Sequence, residues 1–274
     1  MTINCKGKLI DLSSPKVMGI LNITPDSFYD GGFYKDQTKI FNQVEKMLTE
    51  GATFIDIGAY SSRPNADHVS EDEELKRILP IVNSILVEFP EILLSIDTFR
   101  SNVAKACIES GATMINDISA GRLDDKMLQT IANLHVPYIM MHMRGNPKTM
   151  QKLTDYDDLV KDILFYFSER IGAAKALGII DIIVDPGFGF AKTLEQNFEL
   201  LNNLELFKII EKPLLVGVSR KSMIYKTLET SAKDALNGTS VLNTVALQKG
   251  ANILRVHDVK EAVECVKLVE SLSS

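Results

Sequence analysis

The chain has 274 residues, 45% of them apolar, and a formal net charge of -6. That length can bury a sizeable core, and the acidic balance argues against a general nucleic-acid binder, so any basic cluster should serve a small anion. Cys5, Cys107 and Cys265 fall in no CxxC or Cys/His spacing, which argues against a zinc site or a disulfide framework and leaves them as small core residues.

The opening stretch MTINCKGKLIDLSS lacks the apolar centre of a signal peptide, and no apolar run approaches the length of a bilayer span, so a cytoplasmic protein is expected. No low-complexity linker interrupts residues 1–274, and one continuous domain is expected. In chain order, strands are predicted at 16–21 (KVMGIL), 53–58 (TFIDIG), 92–97 (ILLSID), 113–117 (TMIND), 137–141 (PYIMM), 181–185 (DIIVD), 214–218 (LLVGV) and 252–256 (NILRV). Helical patterns lie between them. Ile40, Val44, Met47 and Leu48 mark one apolar face, and Ser70-Glu71-Asp72-Glu73 reads as a capping box. EGATFID, SGATMIND and KGANILRV each end a helix with glycine and enter a strand, which places Gly51, Gly111 and Gly250 as left-handed caps. Near-continuous apolar strands alternating with amphipathic helices require a parallel sheet covered by helices. Eight such units in a chain of this length predict an α/β fold of the (β/α)8 TIM-barrel class.

In such a barrel, chemistry collects at the C-terminal strand ends. Those ends read Asn22, Asp56, Asp97, Asn116 with Asp117, Met141 with His142, Asp185, Ser219 to Ser222, and Arg255 with His257. Each has a plain structural explanation: Asp97-Thr98 and Asp258 as helix N-caps, Asn116-Asp117 as turn chemistry. As a set they say more. The acceptors Asp97, Asn116 and Asp185 should converge in a mouth that also holds Lys221, Arg255 and His257. Carboxylates and a carboxamide suit a flat heterocycle rich in N–H donors, whereas Arg, Lys and His suit an oxyanion. Together they describe a nitrogen heterocycle carrying a phosphate or pyrophosphate.

The stretches MGILNITPDSFYDGG (18–32), SSRPNA (61–66), SIDTFR (95–100), INDISAG (115–121), DPGFGFAKT (185–193), GVSRKSM (217–223) and LRVHDV (254–259) resemble the dihydropteroate synthase family, in order and over practically the whole chain. The resemblance implies a pterin-binding (β/α)8 barrel that condenses dihydropterin diphosphate with 4-aminobenzoate, using Mg2+, in folate biosynthesis. It further implies a sulfonamide target and a homodimer formed through the last helices. By the same resemblance, Asp97, Asn116 and Asp185 would hold the pterin ring, Ile118, Met141, Phe190 and Gly217 would pack its faces, and Lys221 would reach its carbonyl. Arg255, His257, Ser62 and Arg63 would hold the diphosphate, and Asn22 would carry the metal. Ser222, with Phe28, Arg63 and Phe190, would bind the aminobenzoate, and Asp30 would stabilise the developing cation. Arg220 is assigned to supporting salt bridges.

The chain departs from the family pattern GGESTRPGA with GAYSSRPNA, which places Tyr60 where the glutamate is common, and it has Ala191 where glycine is usual in DPGFGFAKT. The loops NITPDSFYDGGFY and AYSSRPNADH carry no strong periodicity and are candidate lids. Three other readings share part of the pattern: a corrinoid methyltransferase domain, a non-catalytic pterin-binding paralogue, and an aldolase with Lys221 as a Schiff-base nucleophile.

Overall fold

The computed structural model describes residues 1–23, 33–60 and 69–272. A two-stranded antiparallel hairpin comes first, β1 (Thr2–Cys5) and β2 (Lys8–Asp11). Then eight parallel strands alternate with helices. The strands are β3 (Lys16–Asn22), β4 (Phe54–Gly58), β5 (Leu94–Asp97), β6 (Met114–Asp117), β7 (Tyr138–Met141), β8 (Ile182–Asp185), β9 (Leu215–Val216) and β10 (Ile253–Val256). The helices between and after them are α1 (Phe33–Thr49), α2 (Glu71–Glu88), α3 (Ser101–Ser110), α4 (Met127–Leu134), α5 (Leu159–Ala176), α6 (Leu194–Asn202), α7 (Ser222–Thr227), α8 (Leu236–Gln248) and α9 (Val259–Ser271).

The strand order is β8-β7-β6-β5-β4-β3-β10-β9. A parallel bridge between Val184 and Leu214 joins the two ends of the sheet, and the Val184 N–H donates to the Pro213 carbonyl at 2.9 Å. The sheet therefore closes into a (β/α)8 barrel, as the eight predicted units require.

Alternation along the strands sorts side chains into two environments. Val17, Leu21, Ile55, Ile57, Leu94, Ile96, Ile115, Met140, Val184, Val216 and Leu254 join the helices in the large outer core. Their neighbours Met18, Phe54, Met114, Ile139, Ile183, Leu215 and Ile253 form an inner apolar layer near the strand starts. Ile3, Cys5, Ile10 and Leu12 of the hairpin segment pack onto that layer, so the hairpin plugs the N-terminal end of the barrel. The hairpin is not among the predicted elements: its strands are four residues each and carry only two apolar residues apiece, too few to set a period.

Several local expectations are met. Gly51, Gly111 and Gly250 have φ of +101°, +119° and +105°, and the three cysteines are free and buried. Others are corrected. Ser70 caps α2 by accepting from the Glu73 N–H at 3.3 Å, but the Glu73 carboxylate turns to Arg77 at 2.6 Å, so the reciprocal half of the box is not made there. A full capping box instead opens α6 at Thr193 and Gln196. β9 keeps only two residues of the predicted 214–218: Leu214 makes an isolated bridge to Val184, and the ladder ends at Val216 ahead of the turn at 219–220. Among the described residues, no helix is long and apolar enough to cross a membrane.

Candidate active site

Two residues beyond the inner apolar layer, the same alternation brings a polar layer to the C-terminal ends of the strands. Asp56 lies two positions after Phe54, Asn116 after Met114, Asp185 after Ile183, and Arg255 after Ile253. Parallel register levels their neighbours too: Asp97 pairs with Asn116, and Met141 with Asp185.

Arg255 organises this layer. Its Nε donates to Asp56 Oδ2 at 2.7 Å and its terminal nitrogen to Asp97 Oδ2 at 2.8 Å. The Asn116 amide nitrogen donates to the same Asp56 oxygen at 2.9 Å. Asp56 is fully buried, and its other oxygen has no hydrogen-bond partner among the described residues. Burial works against the Arg255 charge, but Asp56 and Asp97 outweigh it and raise the guanidinium pKa. Burial also pushes the Asp97 carboxyl upward; Arg255 opposes that push and Asp56 adds to it.

Asp185, at the end of β8, accepts the Gly187 N–H at 2.8 Å through Oδ1. Burial raises its pKa, against Lys221, the Gly187 hydrogen bond and Arg255. The pattern repeats across the three predicted acceptors. Asp97 uses Oδ2, Asn116 its amide nitrogen and Asp185 Oδ1 to fix their orientation, which among the described residues leaves Asp97 Oδ1, Asn116 Oδ1 and Asp185 Oδ2 as acceptors for a donor-rich ligand.

The segment after β9 supplies the cations. Lys221 Nζ donates to the Phe188 carbonyl and lies 5.2 Å from the Phe190 ring centroid. Burial draws its pKa down to about 8, with Asp185 the main opposing influence. Gly217 sits between the cations: a Cβ there would lie 3.8 Å from the Arg255 Cβ and 4.0 Å from Lys221 Nζ. Ser222 is the first residue of α7. Ser219 Oγ accepts the His257 N–H at 3.2 Å and lies 3.0 Å from His257 Nδ1, which ties the imidazole to the β9 segment. Arg220 makes a two-pronged pair with Asp258, 2.8 Å from each nitrogen, so it is structural as expected; Asp258 thereby spends its carboxylate on Arg220 and makes no side-chain cap.

Ile118 and Met141 form a small buried cluster with Ala191, and Phe190 packs against it. This is an apolar wall beside the polar layer. Asn22 ends β3 opposite Gly58 of β4. Of the remaining predicted residues, Phe28, Asp30, Ser62 and Arg63, and with them most of both candidate lids, lie outside the described residues.

Asp117, adjacent to Asn116, belongs elsewhere. It is on the outward phase of β6 and accepts from Ser119 N–H and Oγ, Gly121 N–H and the Tyr138 hydroxyl at 2.6 to 2.7 Å, which is turn chemistry. Sequence reasoning placed Asp56 and Ser219 among the polar strand ends but gave neither a role, in orienting Arg255 and Asn116 or as a partner of His257. The available signal for Asp56 was a carboxylate flanked by Ile55 and Ile57 in the middle of an apolar strand.

Comparison with known proteins identifies the family. Residues 18–257 match the family model described as pterin binding enzyme. The chain is 42% identical to dihydropteroate synthase of Escherichia coli strain K12, across 100% of this chain and 97% of that one. A solved Yersinia pestis dihydropteroate synthase in complex with a sulfonamide drug superposes with a TM-score of 0.93 at 42% identity, covering 100% and 99% of the two chains. A Xanthomonas albilineans dihydropteroate synthase solved with 4-aminobenzoic acid gives 0.92 at 36% identity, covering 100% and 98%. The convergent acceptors, the cation cluster and this end-to-end similarity lead to one assignment: the chain belongs to the dihydropteroate synthase family of pterin-binding enzymes.

Proposed function

We propose that the protein is a dihydropteroate synthase, a transferase of folate biosynthesis that joins 6-hydroxymethyl-7,8-dihydropterin diphosphate to 4-aminobenzoate and releases pyrophosphate. The observation that carries this reading is the set of three oriented acceptors, Asp97, Asn116 and Asp185, each keeping one oxygen for a ligand beside Lys221 and Arg255. The pterin ring lies against Ile118, Met141, Phe190 and Gly217, its N–H groups on the three acceptors and its carbonyl on Lys221. Arg255, His257, Ser62 and Arg63 take the diphosphate. Ser222 takes the aminobenzoate carboxylate, with Phe28, Arg63 and Phe190 completing its site, and Asp30 has the role of stabilising the developing cation.

In the reaction, the bond between the exocyclic methylene carbon and the diphosphate oxygen breaks, a bond to the aniline nitrogen forms, and that nitrogen loses a proton. Positive charge develops on the pterin methylene as negative charge develops on the leaving group. The cations around the diphosphate lower that barrier more than a general base would, because the aniline nitrogen is weakly basic. Asn22 fits a role in holding Mg2+ as a single oxygen donor at the barrel mouth, the mode in which this ion takes most of its ligands from phosphate and water. When bound, Mg2+ would neutralise charge on the pyrophosphate.

Residues 1–274 act as one domain, in the cytoplasm. Exposed Leu228, Val241, Leu268 and Leu272 on and beside the last helices support a homodimer formed there. An aldolase would also use a lysine of lowered pKa, but it leaves the three acceptors without a purpose. The test is incubation with the dihydropterin diphosphate, 4-aminobenzoate and Mg2+. Pyrophosphate release that requires both organic substrates is expected; no release, with the pterin still bound, would leave a non-catalytic pterin-binding protein.

A further inference from the structure

The loop after β8 folds around a buried cation. It turns through three left-handed residues, Gly187 (φ +74°), Gly189 (φ +81°) and Ala191 (φ +48°). Only glycine fits at 187, where a Cβ would meet the backbone carbonyl oxygen of His142. Ala191 holds the same backbone region against the preference of a residue with a side chain.

Lys192 lies inside this turn and is 8% exposed. Its Nζ donates to the Gly187 carbonyl at 2.9 Å and to the Phe190 carbonyl at 3.0 Å, and it lies 3.1 Å from His142 Nδ1. An ammonium has three donors and no acceptor, and three acceptors surround this one. His142 is buried edge-on against Tyr166, with ring centroids 4.8 Å apart. Burial, and then Lys192, push its pKa well below the usual histidine range and keep the ring neutral; facing an ammonium that can only donate, Nδ1 is assigned as the acceptor and Nε2 as the protonated nitrogen. Tyr156 fastens the next carbonyl, that of Ala191, at 2.9 Å.

A buried ammonium is costly where an apolar side chain of similar length would pack. Burial draws the Lys192 pKa down to about 7, with Asp185 opposing and Lys221 and Arg144 adding to the fall. No role described above uses Lys192. The backbone it gathers, however, carries two parts of the site: the Phe190 ring beside Lys221, and the Phe188 carbonyl to which Lys221 donates.

We propose that Lys192 is a positioning residue for the pterin site: its ammonium is the internal cation around which residues 186–191 turn, and it thereby sets where Phe190 and the Phe188 carbonyl meet Lys221. The inference rests on the reading that Phe190 and Lys221 face the pterin, so its test carries a control for that reading.

Lys192→Met and Lys221→Met are titrated calorimetrically with 6-hydroxymethylpterin, and steady-state constants are measured for both substrates. Lys192→Met, with native circular dichroism, is expected to bind the pterin ten- to a hundredfold more weakly and to raise its KM more than it lowers kcat. Lys192→Ala should regain most of that affinity in n-propylammonium, which restores a cation to the vacated space, whereas Lys221→Met should show no such recovery. Weak binding by Lys221→Met with wild-type binding by a folded Lys192→Met would overturn the role of Lys192 alone. Wild-type binding by both would overturn the pterin placement, and the inference with it. Should Lys192→Met fail to fold, Lys192→Ala refolded in n-propylammonium decides: recovered pterin affinity supports positioning, and failure to refold or to bind assigns Lys192 to the fold as a whole and overturns it.

Discussion

Arg255 and Asp56 are 199 residues apart in the chain and meet inside the barrel, Nε 2.7 Å from Oδ2. The same carboxylate oxygen accepts the Asn116 amide at 2.9 Å. One fully buried aspartate thus orients both a cation and a carboxamide of the site.

Asp56→Asn is therefore expected to weaken the pterin site and the fold together. Removing one partner of a buried ion pair costs about 3 to 5 kcal/mol. Arg255 retains Asp97 and a side chain that is 20% exposed, so the low end of that range, about 3 kcal/mol, applies here. Urea unfolding and calorimetric pterin titration read the two effects. Unchanged pterin affinity would remove Asp56 from the ligand's support.

Asp185→Asn should act on binding with a smaller effect on the fold. The carboxylate is anchored by Gly187 through one oxygen, and the other would receive adjacent N–H groups of the pterin. Charge-assisted hydrogen bonds contribute roughly 1.5 to 3 kcal/mol each, so pterin affinity should fall by about tenfold to a few hundredfold. Calorimetry on the folded variant decides, and wild-type affinity would sink the role.

Lys221 makes the pterin complex sensitive to pH. Its pKa is drawn to about 8 in the free protein, mainly by burial, and a pterin carbonyl accepting from the ammonium would favour the charged form. Below pH 8 the lysine is charged before and after binding. As pH rises through 8 binding must take up a proton, so affinity should fall and approach a loss of about tenfold per pH unit. The stability contribution has the opposite slope: the folded pKa lies below the ordinary 10.5, so the unfolded chain holds more protons between 8 and 10.5, and this group adds stability as pH rises through that window. Titrations from about pH 7.5 to 9.5, above the pH near 7 where Lys192 titrates, should show the fall in the parent protein and a flatter profile in Lys221→Met. Parallel profiles would exclude Lys221 as the titrating group.

Ser222→Ala separates the two substrates. The hydroxyl belongs to the first residue of α7 and would touch only the aminobenzoate carboxylate. Its loss should raise KM for 4-aminobenzoate by about tenfold to a hundredfold, the equivalent of one hydrogen bond to a charged group, with pterin affinity within twofold of the parent. The reverse pattern would mean that the two substrate positions are exchanged.

Much of this arrangement was legible in the residues alone. Eight apolar runs, each followed by a helical period, fit a closed parallel barrel better than an open doubly wound sheet, and the Val184–Leu214 bridge closes it. Glycine at 51, 111 and 250 marks helix ends, since only glycine reaches φ above +100° without cost. The acceptors Asp97, Asn116 and Asp185 stand at strand ends, where barrel chemistry collects. Two-residue alternation even separates Asn116 on the inner phase from Asp117 on the outer one, where it meets Tyr138.

What the alternation does not encode is who meets whom across the barrel. Asp56 and Arg255 lie on β4 and β10, which are not neighbours in the sheet, and their pairing depends on two side chains reaching across the enclosed interior. The hairpin plug rests on four apolar side chains that gain their meaning only against the open end of a formed barrel. Lys192 in DPGFGFAKT reads as a surface charge after a glycine turn. It becomes an internal cation because two left-handed glycines and Ala191 fold the backbone over it and bring His142 from another strand end. Local periodicity records which way each side chain faces, since that is set by φ and ψ; the distances that decide pairing, burial and pKa arise only when all eight strands have closed.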